Sequence, residues 1–227
     1  MSTWYAQQAK QNPDLFRVIF DFNRRPQHWV HPEVLSTLPH GNIVQALSTT
    51  NRGSSHVATW LTRELKLDAA EVCWDFEEPR RRLALLNAGT LRKLACYAGA
   101  ASCWPRIATT ISRDELREIK TAIGEEAHVF ALRRGRMIVP EQEALAPSKD
   151  QSLADQVLDQ GWRMVAAAAL DEHPAVQQRF TLKLPPAVAQ SLANQSAAAL
   201  DVRTKAWQRL RKISPEVLTE GETKCFA

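Results

Sequence analysis

Apolar residues recur along most of this chain at intervals of three and four, the spacing that places them on one face of a helix. Leu116, Ile119, Ile123, Ala127 and Phe130 form the clearest run, opened by the capping box "SRDE" at 112 to 115, in which Ser112 accepts from a free amide. Gly124 lies inside that run, so it predicts either one long helix or two hinged there, with Gly135 marking the end. Leu153, Val157, Gly161, Met164, Val165 and Ala168 trace a second face, stopped by His173 and Pro174. A third stripe joins Leu83, Leu86, Leu91 and Leu94 across Arg81 to Ala98, although Gly89 interrupts it. Leu200, Trp207, Leu210 and Ile213 share a face of a helix-prone, basic C-terminal stretch, and residues 214 to 227 read as a flexible tail.

Toward the N-terminus the pattern is denser in aromatics and prolines. A helix is expected from about Pro13 to Phe22, then a loop and short helical turns. "TTNRGSSH" at 49 to 56 predicts a loop ending in an N-cap serine, with a helix carrying Val57, Trp60, Leu61 and Leu65 after it. One stretch breaks helical time. From Arg179 to Leu184, Phe180, Leu182 and Leu184 alternate with Arg179, Thr181 and Lys183, the period of two of a half-buried strand, before Pro185 and Pro186 stop it. Such a strand would serve as a core plug or pair with a strand of a partner.

The fold class expected is therefore mostly α: a compact helical domain with at most a minor extended element near 179–184. Its organisation is read as an aromatic segment at 1–50 packed on a helical domain at 51–213, with the polar stretch 140 to 151 as a surface loop or joint. With 227 residues, 44% hydrophobic and 24% charged, the chain is long and apolar enough to fold around a core. Twenty-nine basic against 25 acidic residues give a net charge of +4, a mild surplus that constrains partners weakly. No apolar run reaches membrane-spanning length and the first residues lack a secretory pattern, so a cytoplasmic location is expected. The four cysteines have no framework or zinc-ribbon spacing and read as reduced, buried thiols.

Little catalytic chemistry is legible. His28 and His31 in "HWVH" share the spacing of a helical metal pair, but no nearby Cys or carboxylate completes a set, and a capping pair is the plainer reading. Nucleophile elbows, phosphate loops and dinucleotide fingerprints are missing from the sequence. Cys103 in "GAASCWP" reads as a structural thiol. No catalytic residue, cofactor or metal is therefore assigned. "SRDELREIKTAIGEEAHVFALRRGR" could be helix, turn, helix with a basic end, which keeps a nucleic-acid-binding alternative open. Glu125 and Glu126 stand where a recognition helix would meet phosphates, which argues against it.

Three stretches, in order, resemble the SctK (YscK, PscK) family of type III secretion accessory proteins. "FNRRPQHWVHPEVL" is similar to its opening, and the block from "RLALLNAGTLRKL" to "EEAHVFAL" to its centre. "GWRMVAAAALDEHPAVQQRFTLKLP" looks like its C-terminal signature through Gly161, Trp162, Pro174, Arg179, Leu182, Leu184 and Pro185. The resemblance implies a non-enzymatic helical adaptor of the cytoplasmic sorting platform, joining the cytosolic domain of the inner-membrane ring protein (SctD) to the pod protein (SctQ). A monomer is expected in isolation. Two arginine clusters, Arg80 to Arg82 and Arg133, Arg134 and Arg136, are the expected partner-binding surfaces, because clustered charge steers and orients encounter.

Overall fold

The computed structural model describes residues 3–48, 50, 52–144, 151–169, 173–193 and 200–226, the side chains of 191–193 and 224–226 excepted. Among them the chain is mostly helical, with no strand. Its helices are α1 (Thr3–Gln11), α2 (Pro13–Arg24), α3 (Pro32–Thr37), α4 (Gly41–Ser48), α5 (Ser54–Glu64), α6 (Ala88–Ser102), α7 (Trp104–Thr109), α8 (Arg113–Ile123), α9 (Glu125–Ile138), α10 (Leu153–Ala169), α11 (Pro174–Lys183), α12 (Pro186–Ala193), α13 (Leu200–Val217) and α14 (Glu220–Phe226). Contacts group 1–88, 169–194 and 220–227 into one unit and 89–168 with 195–219 into a second. No helix among the described residues is long and apolar enough to cross a membrane.

In the first unit, α2 starts as its sequence dictates: Asn12 accepts from the Leu15 amide at 3.1 Å and Pro13 takes the first helical position. Leu15, Ile19 and Phe22 then face inward along one stripe. Aromatic stacking ties this helix to its neighbours, Tyr5 lying 4.5 Å from Phe16 and 4.7 Å from Trp74, and Phe22 meeting Phe76 edge-on at 5.7 Å. A second cluster gathers Val30, Leu35, Val44, Val57 and Leu61. The cap of α5 is Gly53, so Ser54 is its first helical residue and not the N-cap. Between α5 and α6 runs an irregular strap, residues 71–77, that belongs to no helix and no sheet. Side chains satisfy its backbone instead: Asn23 donates to Cys73 O at 2.7 Å, Arg81 to Asp75 O at 2.7 Å and Arg82 to Phe76 O at 2.8 Å.

The second unit packs by small residues. α6 is buried along most of its length and crosses α10 where Gly99 meets Gly161. A Cβ at Gly161 would stand 1.9 Å from Ala95 O, and one at Gly99 1.8 Å from Val157 O, so only hydrogen fits on either helix. Gly135, expected to end a helix, lies inside α9, where Trp104 covers it; a Cβ there would come within 2.5 Å of the Trp104 Cβ. The long run from Leu116 to Phe130 is two helices, because Gly124 turns the chain with φ of +88°. The leucine stripe from Arg81 to Ala98 is likewise broken. Arg81–Leu85 form a 3-10 turn and α6 begins only at Ala88.

The alternating stretch at 179–184 is no strand. It is the last turn of α11, whose final residue is Lys183, with Leu184 extended at the C-cap and Pro186 opening α12. Phe180 and Leu184 are buried as the pattern requires, but so are Arg179 and Lys183, one helical turn apart. The Leu182 carbonyl accepts from the His31 amide at 2.9 Å. With its backbone committed to a helix, the segment offers no free edge for a partner strand.

Candidate interaction surfaces

The two arginine clusters meet different fates. Arg81 and Arg82 anchor the strap, Arg82 also donating to Glu77 O at 3.1 Å and lying 5.8 Å from the Trp4 ring. Arg82 is only 9% exposed, and Arg80 pairs with Glu78 at 3.4 Å. These three side chains are spent largely on local structure. By contrast, α9 carries Arg133, Arg134 and Arg136 exposed. Arg134 pairs with Glu216 of α13 and borders, with Arg133, a cavity of about 680 Å³ whose wall includes Tyr97, Val129 and Glu126. Leu132 and Met137, 49% and 64% exposed, flank Arg133 and Arg136. Apolar and cationic groups thus share one outer face of α9, a combination the charge pattern alone did not reveal.

At the start of α9, Glu125 accepts from Lys120 at 2.9 Å, and that hydrogen bond holds its carboxyl below the usual range. Glu125 and Glu126 are both exposed in the first turn, where they complement the helix dipole and repel a phosphate backbone.

Of the signature residues, Gly161 is the close crossing of α6 and α10, and Trp162 is buried in α10. Arg179, 1% exposed, donates to Leu67 O at 3.1 Å and Ala175 O at 3.2 Å. Burial lowers its pKa first and the nearby Arg24 charge second, yet a guanidinium remains protonated. Leu184 is buried, while Leu182 and Pro185 are half-buried. These residues hold the fold, Gly161 and Trp162 in one unit and the other four in the other.

Sequence reasoning missed Lys183. Its Nζ is enclosed in the first unit, donating to Ala84 O and, at 3.0 Å, to Leu86 O, 4.8 Å from the Phe22 ring and 5.9 Å from Trp29. Burial pushes its pKa from 10.5 down to about 7. The carbonyls and ring faces are the partners an ammonium favours, which is how a charge is tolerated there. No signal in one sequence distinguishes such a lysine from a solvated one.

Cys73, Cys96 and Cys103 are buried, and burial pushes the Cys103 thiol up to about 11, so it rests protonated. His31 caps α3, its Nδ1 accepting from the Glu33 amide at 3.3 Å. Among the described residues no group of three His, Cys, Asp or Glu is placed to hold a metal ion.

A family model described as YOP proteins translocation protein K (YscK) matches residues 18–227. No curated protein and no solved structure matches the chain.

Proposed function

The chain belongs to the YscK family of type III secretion proteins, and from that premise we propose that it is an adaptor of the cytoplasmic sorting platform. In this reading it joins the cytosolic domain of an SctD-like inner-membrane ring protein to an SctQ-like pod protein, at the cytoplasmic face of the inner membrane. The observation that carries the reading is the match over nearly the whole chain. The outer face of α9 supports it, because exposed Leu132 and Met137 beside Arg133 and Arg136 offer both the apolar contact and the steering charge that protein docking uses. Arg80 to Arg82 contribute less in this reading, since their donors are already engaged by the strap and by Glu78.

Co-expression with the pod protein of the same secretion cluster, followed by light scattering on a sizing column, tests it. The expected result is a mixed complex that weakens as salt rises, while the chain alone elutes as a monomer. Arg133→Glu with Arg136→Glu should weaken the complex about tenfold or more, with little change in melting temperature because both side chains are exposed. Elution of the two proteins apart would overturn the adaptor reading. A shift of a random DNA duplex by the lone chain would favour nucleic acid instead.

A further inference from the structure

Within the first unit a cavity of about 850 Å³ opens between α2 and α5. Helical spacing builds both of its walls. Phe20, Asn23 and Arg24 of α2 stand on one side at intervals of three and one residues, with Gln27 beside them from the 3-10 turn Pro26–His28 that follows. On the other side are Ser55, Thr59, Thr62 and Arg63, the polar stripe of a helix whose Val57 and Leu61 face the core. Arg25 and Arg179 also line it, so four arginines face it against a single carboxylate, Asp68.

The four cations differ in how far they are already committed. Arg25 is paired with Asp21 at 3.2 Å, and its guanidinium lies 5.7 Å from the Phe20 ring. Arg179 is fixed by its bonds to Leu67 O and Ala175 O, and its Nε has no hydrogen-bond partner among the described residues. Arg24 and Arg63 are exposed and neither makes an ion pair among the described residues, although the Arg24 guanidinium lies 5.7 Å from the Trp74 ring. Two exposed cations without carboxylate partners therefore stand at the rim of a groove whose floor holds a fixed one. That arrangement concentrates positive potential in a concave site, where low-dielectric walls strengthen it.

We propose that this groove binds an acidic segment of a partner protein, with Asp or Glu carboxylates meeting Arg24 and Arg63 above the fixed charge of Arg179. A peptide fits better than a compact phosphate on two grounds. The cavity runs along two helices and far exceeds one phosphate in volume. Asn23 and Gln27 also each donate their amide nitrogen to a carbonyl, Cys73 O at 2.7 Å and Ser54 O at 3.3 Å. Their side-chain oxygens, without a hydrogen bond among the described residues, are buried behind the wall. Buried there, those oxygens place negative partial charge behind the wall, which disfavours the dense charge of a phosphate more than an extended peptide.

The test uses the full chain and a fluorescein-labelled oligoglutamate of about ten residues, followed by anisotropy at about 50 and about 150 mM salt. The expected result is binding that weakens at the higher salt and falls about tenfold in Arg24→Glu with Arg63→Glu. Oligoglutamine of the same length should not bind, and Arg133→Glu with Arg136→Glu should bind as the unaltered chain does. Should the doubly reversed chain lose its helical circular dichroism, Arg24→Gln with Arg63→Gln replaces it, with a smaller loss expected. The proposal is overturned by no binding to the unaltered chain, by affinity unchanged in both groove variants, or by displacement of the probe by inorganic phosphate at equal charge. Binding of anionic phosphatidylglycerol vesicles without binding of oligoglutamate would assign the groove to a membrane surface and overturn it equally. The groove proposal does not rest on the adaptor reading. A chain that joins the pod protein yet ignores oligoglutamate overturns only the groove, and the converse result overturns only the adaptor.

Discussion

The two units solve the same packing problem by opposite means. The second brings helix backbones together by removing side chains, with Gly99 against Val157, Gly161 against Ala95 and Gly135 beneath Trp104. In the first, aromatic rings fill the space and long cations are buried to satisfy carbonyls that its irregular segments leave unpaired. The contrast follows from backbone regularity. Where α6 and α10 run uninterrupted, their own hydrogen bonds are complete and only shape must match. Around the strap at 71–77 and the 3-10 turn at Arg81–Leu85, carbonyls lack ladder partners, and Arg82, Arg179 and Lys183 supply the donors.

Gly161→Val should show the largest effect, because its new side chain meets the Ala95 carbonyl and neither backbone can yield. A loss of about 3 kcal/mol or more is expected in urea denaturation. A cost below about 1 kcal/mol would mean that the crossing is loose. Arg179→Met, close in length and still able to fill its site, should cost about 1–3 kcal/mol through the donors lost to Leu67 O and Ala175 O. Equal or greater stability in the Met variant would show that hydrophobic packing outweighs those bonds and would erase the contrast between the units.

Lys183 sharpens the comparison through pH. Its pKa in the folded chain, about 7, lies below the ordinary 10.5, so between those values the unfolded chain holds the extra proton. Stability should therefore rise with pH across that window, by at most about 1.4 kcal/mol per unit, and be lost as pH falls toward 7. Lys183→Met should flatten the slope in melts taken from neutral to alkaline pH. An identical slope in both chains would mean that Lys183 keeps its ordinary pKa despite its burial.

The regular part of this fold was legible because its residues obey local rules. The cap at Ser112, the proline start at Pro13 and the three-and-four spacing of Leu153 through Ala168 each fix a helix from its own neighbourhood. The turn at Gly124 was visible as one of two possibilities, and the positive φ decides between them. Legibility of the surfaces was lower. Clustered arginines read alike in sequence, and only the strap distinguishes Arg81 and Arg82, drawn into the fold, from Arg133 and Arg136, left outside.

The stretch from Arg179 to Leu184 marks where local information stops. Its alternation fits a strand, but a helix that buries Phe180 and Leu184 together with Arg179 and Lys183 also satisfies the residues, provided that carbonyls await the two cations. Those carbonyls belong to Leu67, Ala84 and Leu86, about a hundred residues earlier in the chain. By itself the sequence determined the helical class, several helix starts and the order of segments that its family shares. Tertiary structure alone decided which polar groups go inside, because burying a charge is favourable only when distant backbone acceptors are already in position to receive it.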